Sequence, residues 1–132
     1  MDFNSCTRTM GSQSKLTGGL GEALALKYLL QKGYGLIKKN HFIRGGEIDL
    51  ILEKNGILVF VEVKTRRSKA FGSPAESITP LKKQKLLRAI KTYLATPALR
   101  SLGEGGWRCD LIAIEIQGRT ARIKHFTNIF AV

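Results

Sequence analysis

The chain has 132 residues, and its 22 Lys and Arg against 10 Asp and Glu give a formal net charge of +12. This length favours one domain, and 43% hydrophobic residues supply one modest core, which excludes wholesale disorder. The charge favours a polyanionic partner such as nucleic acid or an anionic membrane surface. No apolar run approaches the ~20 residues of a membrane helix, so no membrane partner is expected.

Residues 1–13 lack the apolar stretch of a signal peptide and are interpreted as a flexible polar tail, which leaves residues 14–132 as a single domain. The two cysteines, Cys6 and Cys109, are far apart, and one of them lies in this tail. A disulfide framework or a four-ligand zinc site is therefore not expected. A reduced, cytoplasmic protein is the simplest interpretation.

The hydrophobic pattern predicts an α/β fold with the element order α-β-β-β-α-β-β and a mixed sheet on which the helices pack. Gly33 suits a C-cap after a first helix, and Thr79 with Pro80 suits the start of a second. The residues between Ser68 and Ser77 are predicted to form a loop. The predicted helices are Lys15–Lys32 and Pro80–Ala95, and the predicted strands are Gly35–Arg44, Gly46–Leu52, Ile57–Thr65, Trp107–Ile116 and Thr120–Phe126.

The dipeptide Asn55-Gly56 separates two apolar runs and predicts a hairpin. A two-residue turn at this dipeptide places Asp49 opposite Glu62 and Glu47 opposite Lys64, all on one face of the hairpin. A four-residue loop would keep these residues on one face, whereas a three-residue loop would not. Like charges directly opposite each other destabilise a sheet, so the two facing carboxylates call for a chemical explanation.

A divalent cation, Mg²⁺ or Mn²⁺, explains the facing carboxylates of Asp49 and Glu62 because hard ions prefer oxygen ligands. Glu22 lies beside the apolar stripe of the first helix, where an ionised carboxylate needs a partner, and a packed helix would bring it to the same ion. Lys64 would stabilise negative charge on a phosphate or orient the nucleophilic water. The alternative is a polar sheet face with a Glu47–Lys64 ion pair.

Four blocks of the sequence carry a resemblance to a known family. They are Gly21-Glu22, Gly45–Leu50, Val59–Arg66 and Phe71–Glu76, and together they resemble the YraN family of predicted endonucleases. That family is similar to the archaeal Holliday-junction resolvases of the PD-(D/E)XK nuclease superfamily. The likeness extends from roughly Leu20 to the C-terminus.

The resemblance implies a restriction-endonuclease-like fold in which Asp49, Glu62 and Lys64 form the catalytic D…ExK motif. It also implies a metal site made of Glu22, Asp49 and Glu62. Gln84 is a candidate accessory residue, since some relatives carry a glutamine on the helix after the motif. Glu47 is a second candidate because of its predicted position opposite Lys64. The sequence departs from the superfamily pattern before Asp49, where Ile48 replaces the usual proline.

Basic residues follow the motif and continue onto the second helix. The candidate nucleic-acid-binding residues are Arg66, Arg67, Lys69, Lys82, Lys83 and Lys85. The alternative is a solvated helix face, which is the usual environment of helix lysines.

These observations predict a Mg²⁺- or Mn²⁺-dependent endonuclease that hydrolyses phosphodiester bonds. Branched or structured DNA is the substrate that the resemblance implies, and DNA is favoured over RNA. The alternative is a non-catalytic nucleic-acid-binding module that retains the nuclease fold. The resemblance to resolvases also implies a homodimer, for which the sequence identifies no interface. Asp110, His41 and His125 are interpreted as structural residues.

Overall fold

A computed structural model describes residues 3–9, 18–67, 78–96 and 105–130. From the first helix onward, the elements follow the predicted order α-β-β-β-α-β-β, which confirms the mixed α/β fold class. The predicted loop between Ser68 and Ser77 lies outside the described residues, as does Lys69. The elements are β1 Phe3–Thr9, α1 Gly18–Gln31, β2 Gly35–Ile43, β3 Gly46–Lys54, β4 Ile57–Arg66, α2 Pro80–Leu94, β5 Trp107–Gln117 and β6 Thr120–Phe126.

Strand β1 corrects the prediction of a flexible tail at Phe3–Thr9. It pairs antiparallel with β6, from Phe3 opposite Phe126 to Thr9 opposite Thr120. Without β1, strand β6 would present an open edge of unpaired backbone groups, and the pairing satisfies these donors and acceptors. The polar composition of the segment gives no indication of this backbone pairing. The rest of residues 1–13 lies outside the described part of the chain.

The six strands form one sheet in the order β1-β6-β5-β4-β3-β2. The β4–β5 pair is parallel, and the other four pairs are antiparallel. A parallel pair needs a long crossover connection, and α2 lies within it. The tight β3–β4 turn places Asn55 at φ 54° and Gly56 at φ 77°, the left-handed conformation that this kind of turn requires.

Each face of the sheet carries one helix and one apolar core. The α1 side contains Ala25, Tyr28 and Leu29 packed against strand residues such as Leu50 and Val61. The α2 side is built from the following residues of the helix and the strands: Leu86, Ala89, Ile90, Tyr93, Ile48, Ile51, Phe60 and Leu111. Removing this apolar surface from water is the main force that holds both helices on the sheet.

The start of each helix is fixed close to the strand ends that matter for function. Gly21 of α1 faces Thr65 of β4 so closely that a Cβ at position 21 would overlap the Thr65 hydroxyl, which explains the glycine there. Thr79 caps α2 by accepting the backbone N–H of Lys82 at 3.1 Å. The close approach of Gly21 to Thr65 thereby holds the start of α1 against β4, and the Thr79 cap fixes the residue at which α2 begins.

Neither α1 nor α2, the helices within the described ranges, has the length and apolar character of a membrane-spanning helix.

Candidate active site

The β3–β4 hairpin has the predicted register, from Lys54 opposite Ile57 to Leu50 opposite Val61. The backbone ladder ends at that last pair. Beyond it β3 remains paired with β2 and β4 with β5, so the two strands form a fork. The predicted ladder pairs Asp49–Glu62 and Glu47–Lys64 are therefore wrong in this detail.

Asp49 lies at the base of the fork and replaces the missing ladder bond. Its Oδ2 accepts the backbone N–H of Val63 at 2.8 Å. One carboxylate oxygen of Asp49 thus has a structural partner, and a carboxylate can still offer its other oxygen to a cation.

Three carboxylates meet at the mouth of the fork. Glu22 of α1 joins Glu47 and Asp49 of β3, and each offers a ligand oxygen within 4.8 Å of the others. We call these three residues the carboxylate cluster. Glu22 and Asp49 are brought together as predicted, but Glu62 lies outside the group, and Glu47, which the sequence suggested only as an accessory residue, belongs to it.

The electrostatics of the carboxylate cluster favour a cation. Burial and the neighbouring charges of Asp49 and Glu47 raise the pKa of Glu22, and burial followed by Asp49 raises the pKa of Glu47. Glu22 Oε1 is buried and has no hydrogen-bond partner among the described residues. Carboxylates crowded in this way resist ionising together, and a bound divalent ion would relieve both the repulsion and the unpaired oxygen. The donor set fits Mg²⁺ or Mn²⁺.

Glu62 projects to the side of the fork that faces α2. Its side chain is only 4% exposed, and its Oε1 lies 3.4 Å from Lys82 Nζ and 3.9 Å from Lys64 Nζ. Burial first, and then the charge of Asp49, raise the pKa of Glu62 to about 7, against the opposing effect of the two lysines. The Glu62 and Lys64 side chains of the ExK motif are thus neighbours of the carboxylate cluster, but Glu62 is paired with cations of the protein itself.

Lys82 is the residue whose position the sequence did not indicate. It was expected on a basic surface, and the structure brings it into an ion pair with Glu62, close enough to Glu47 to oppose the rise in the pKa of that residue. A lysine in the first turn of a helix gives no sequence signal of such a contact, because the contact depends on how α2 docks on the sheet.

The remaining candidate residues lie at the end of β4 and on α2, outside the carboxylate cluster. Arg66 is the last residue of β4 and Arg67 follows it, and Lys83 and Lys85 lie on α2, where Lys85 is exposed. Gln84 is also exposed and lines a shallow groove with residues farther along α2, so the structure does not bring it to the carboxylates.

A second buried acid, Asp110 on β5, lies elsewhere in the fold. Its carboxylate accepts Arg108 Nε at 3.0 Å and the backbone N–H of Asn128 at 2.9 Å, and it lies 2.8 Å from His125 Nε2. The other ring nitrogen of His125 is 3.2 Å from the Tyr28 hydroxyl of α1. We call these five residues the Asp110 network. The structural interpretation of Asp110 and His125 agrees with this set of contacts.

Comparison with known proteins places the chain in a family. The model of the Uncharacterised protein family UPF0102 matches residues 21–114. The UPF0102 protein of Syntrophomonas wolfei is 44% identical over 111 residues, which cover 83% of this chain and 93% of the relative. The UPF0102 protein of Alkaliphilus oremlandii is 40% identical over 119 residues, covering 89% and 99%. That of Symbiobacterium thermophilum is 46% identical over 104 residues, covering 79% and 84%.

The fold and the site define a mixed α/β domain that carries a carboxylate cluster at a fork between two strands. The chain belongs to the UPF0102 family, and the matched range contains Glu22, the β3–β4 hairpin, the whole of α2 and most of β5. The resemblance to this YraN-like family is therefore confirmed at the level of the family.

Proposed function

We propose that this protein is a metal-dependent nuclease that hydrolyses phosphodiester bonds in nucleic acid, with DNA favoured over RNA. One observation carries the proposal: the carboxylate cluster, with ligand oxygens within 4.8 Å of one another, adjoins a pair of lysines in a chain of net charge +12. Acids in a basic chain would repel a phosphate backbone, so their grouping makes sense when a cation lies between them and the substrate.

Glu22, Glu47 and Asp49 would hold Mg²⁺ or Mn²⁺. Glu62 is not one of these ligands, but it is close enough to Asp49 for the charge of Asp49 to raise its pKa. Such an ion, when bound, polarises a phosphoryl oxygen and makes a water molecule more acidic. Lys64 and Lys82 stabilise negative charge that develops on the phosphate, since both lie on the α2 side of the fork. Glu62 keeps the two ammonium groups in place by ion pairing with both.

The finer features of the proposal rest on the family resemblance. Similarity to Holliday-junction resolvases supports branched or structured DNA as the substrate and a homodimer as the working form. The cysteine usage supports a reduced, cytoplasmic location. The basic residues on either side of the fork would contact the phosphates that flank the reacting one, among them Arg67 and Lys85.

Calorimetric titration with Mn²⁺ tests the metal site, and cleavage of a panel of junction, flap, duplex and single-stranded DNA and RNA tests the reaction. Asp49→Asn should lose Mn²⁺ binding and cleavage, because the amide keeps an acceptor for Val63 but loses the charge. Glu53→Gln, on the same strand but outside the carboxylate cluster, is the control and should resemble wild type. Equal titrations for wild type and Asp49→Asn would remove the proposed site.

Lys64→Ala separates catalysis from binding. We expect cleavage to fall by roughly 100- to 1,000-fold, which is the usual effect of removing one group that stabilises charge in the transition state. Affinity for nucleic acid should change only a few-fold, because one phosphate contact is a small part of the electrostatic attraction. A variant that cleaves like wild type would exclude Lys64 from the reaction.

The second candidate function is a nucleic-acid-binding module without turnover. The 3.4 Å ion pair between Lys82 and Glu62 favours it, because a carboxylate already paired with a lysine has less need of a metal ion. Wild-type protein that binds the substrate panel but cleaves no member of it in Mg²⁺ or Mn²⁺ would establish this alternative.

A further inference from the structure

A groove of about 490 Å³ runs between α1 and the edge strand β2. Its floor is one apolar stripe of the helix, in which the residues follow one another at helical spacing and Leu30 is 48% exposed. Ala23 and Leu30 are exposed, Leu26 packs partly against the core on the α1 side, and β2 beside the groove is the last strand of the sheet. The stripe consists of Gly19, Ala23, Leu26 and Leu30.

The groove is continuous with the candidate active site. Glu22 lines the groove and belongs to the carboxylate cluster, so any ligand that fills the groove lies next to the proposed reaction centre. The volume is within the range of about 300–1,000 Å³ that small-molecule sites occupy. The apolar stripe spans about 16 Å along the helix, which is long enough for a nucleoside.

We propose that this groove binds an unpaired nucleobase of the substrate, beside the phosphate that lies at the carboxylate cluster. The inference rests on the proposed nuclease function and names the substrate class: nucleic acid with an unpaired nucleotide at the reacting position. A base is flat, uncharged and largely apolar on its faces, so it fits a floor of aliphatic side chains. A phosphate inside the groove would lie against Glu22 and would be repelled unless a cation lay between them.

The charges around the groove match a base that has phosphates on both sides. Lys27 and Lys39 are exposed on its two walls, one on the helix and one on the strand. Lys39 is close enough to oppose the effect of the neighbouring acids on the pKa of Glu22. An apolar floor between two lysines suits a nucleotide, since the ring can lie on the floor while the flanking phosphates meet the ammonium groups.

Asn40 supplies a group that can recognise the edge of a base. It lines the groove at φ 51°, in the left-handed region, between the ladder pairs Lys39–Leu50 and His41–Ile48. Asparagine tolerates this conformation better than most residues do. Its side-chain amide carries one acceptor and two donors, the complement of the donor and acceptor groups on a base edge.

Binding of three labelled duplexes in EDTA, followed by fluorescence anisotropy, tests the inference without any cleavage. The duplexes share one sequence: one is fully paired, one carries an extra unpaired adenine, and one carries an abasic residue in place of that adenine. We expect wild type to bind the unpaired adenine roughly tenfold more tightly than either of the others, because only this probe can bury the faces of a base against the apolar floor.

Two variants test whether the preference comes from the groove. Ala23 is exposed, so Ala23→Phe fills the groove without entering the core, and it should abolish the preference while leaving affinity for the paired duplex unchanged. Asn40→Gly keeps the left-handed backbone and removes the amide, and it should reduce the preference. Lys39→Ala should weaken binding of the adenine probe more than Lys38→Ala, a matched control on the same strand outside the groove.

Each outcome decides the inference. If wild type binds all three duplexes equally, the base site is excluded while the nuclease proposal stands. If it binds none of them in EDTA, the base site is also excluded, and cleavage of the substrate panel in Mn²⁺ decides the nuclease proposal separately. If Ala23→Phe changes the mass in sedimentation but not the preference for adenine, the groove is a contact between copies of the chain and the inference is overturned.

Discussion

The Asp110 network and the carboxylate cluster both withdraw acids from water, Asp110 completely and the three cluster acids in part, and the pKa shifts that result have opposite signs. Burial alone would raise the pKa of Asp110, but hydrogen bonds from His125, Asn128 and Arg108 outweigh it, so that the pKa falls below its ordinary value. In the carboxylate cluster, burial and neighbouring acids act in the same direction, and the pKa of Glu22 rises.

The difference shows how to separate structural acids from functional ones. An acid whose oxygens all have partners contributes to stability and has nothing left to offer a ligand. Acids that repel one another lower the stability of the metal-free protein, and Glu22 also has an oxygen without a partner among the described residues. A bound cation would remove the repulsion and supply that partner. Asp110 is fully buried and the three cluster acids are half-buried, yet the pKa of the more deeply buried acid falls, because its partners outweigh its burial.

Removal of the Asp110 charge should cause the largest loss in the free energy of unfolding. Asp110→Asn leaves Arg108 and His125 facing an amide, and breaking a buried ion pair in this way typically costs about 3–5 kcal/mol of unfolding free energy. Urea denaturation followed by the fluorescence of Trp107, the only tryptophan, measures it. Asp49→Asn is the control, with a loss of under ~1 kcal/mol expected. Similar losses for both variants would erase the distinction between the two regions.

Acid titration should show when the Asp110 network ceases to stabilise the fold. Because the pKa of Asp110 is lower in the folded protein than the value of about 3.9 in an unfolded chain, its contribution is complete above that pH. The contribution is lost as pH falls through the depressed folded value. The stability difference between wild type and Asp110→Asn should therefore narrow below about pH 4. A difference that stays constant down to acid unfolding would contradict this account.

The basic residues beside the carboxylate cluster should govern the salt dependence of nucleic-acid binding. Lys82→Ala combined with Lys85→Ala should shallow the slope of log K against log salt by about one to two units, through two lost phosphate contacts. Lys32→Ala combined with Lys54→Ala is the control, because these lysines lie at the other end of the hairpin. If both double variants alter the slope equally, binding is diffuse and the fork is not the interface.

Glu22→Gln should change the free energy of unfolding least, and it should raise stability where Asp110→Asn lowers it. Neutralising one of three crowded acids should raise stability in metal-free buffer by about 0.5–1 kcal/mol, as other relieved functional sites do. Added Mn²⁺ should then raise the urea midpoint of wild type more than that of the variant, because only binding to the folded state stabilises. If the variant is less stable than wild type without metal, Glu22 stabilises the fold as Asp110 does, and the interpretation of Glu22 as a metal ligand is contradicted.

The sequence predicted best what is decided locally. Alternating apolar residues located β3 and β4, and Asn55-Gly56 set the register from Lys54–Ile57 to Leu50–Val61. The Thr79 cap of α2 was likewise correct. These features depend on residues close together in the chain, for which the physical rules are simple.

Features that depend on docking were missed. The end of the ladder at Leu50–Val61, the Lys82–Glu62 ion pair and the membership of Glu47 in the carboxylate cluster all follow from how the helices and outer strands are placed. Pairing between β1 and β6 joins the two ends of the described chain, and no local pattern indicates it. Long-range contacts of this kind are settled by the packing of the whole domain.

The parallel join between β4 and β5 has a consequence for the order of folding. The antiparallel neighbours β2, β3 and β4 are linked by short turns, whereas β4 and β5 meet only after the chain has passed through α2. Closing that long loop costs entropy before any contact compensates for it, so we expect it to be the late step. In that case Leu52→Ala, in the early hairpin, should slow folding, and Ile112→Val, on β5, should mainly speed unfolding. All three acids of the carboxylate cluster precede the join, so they gather in the half of the molecule that forms first.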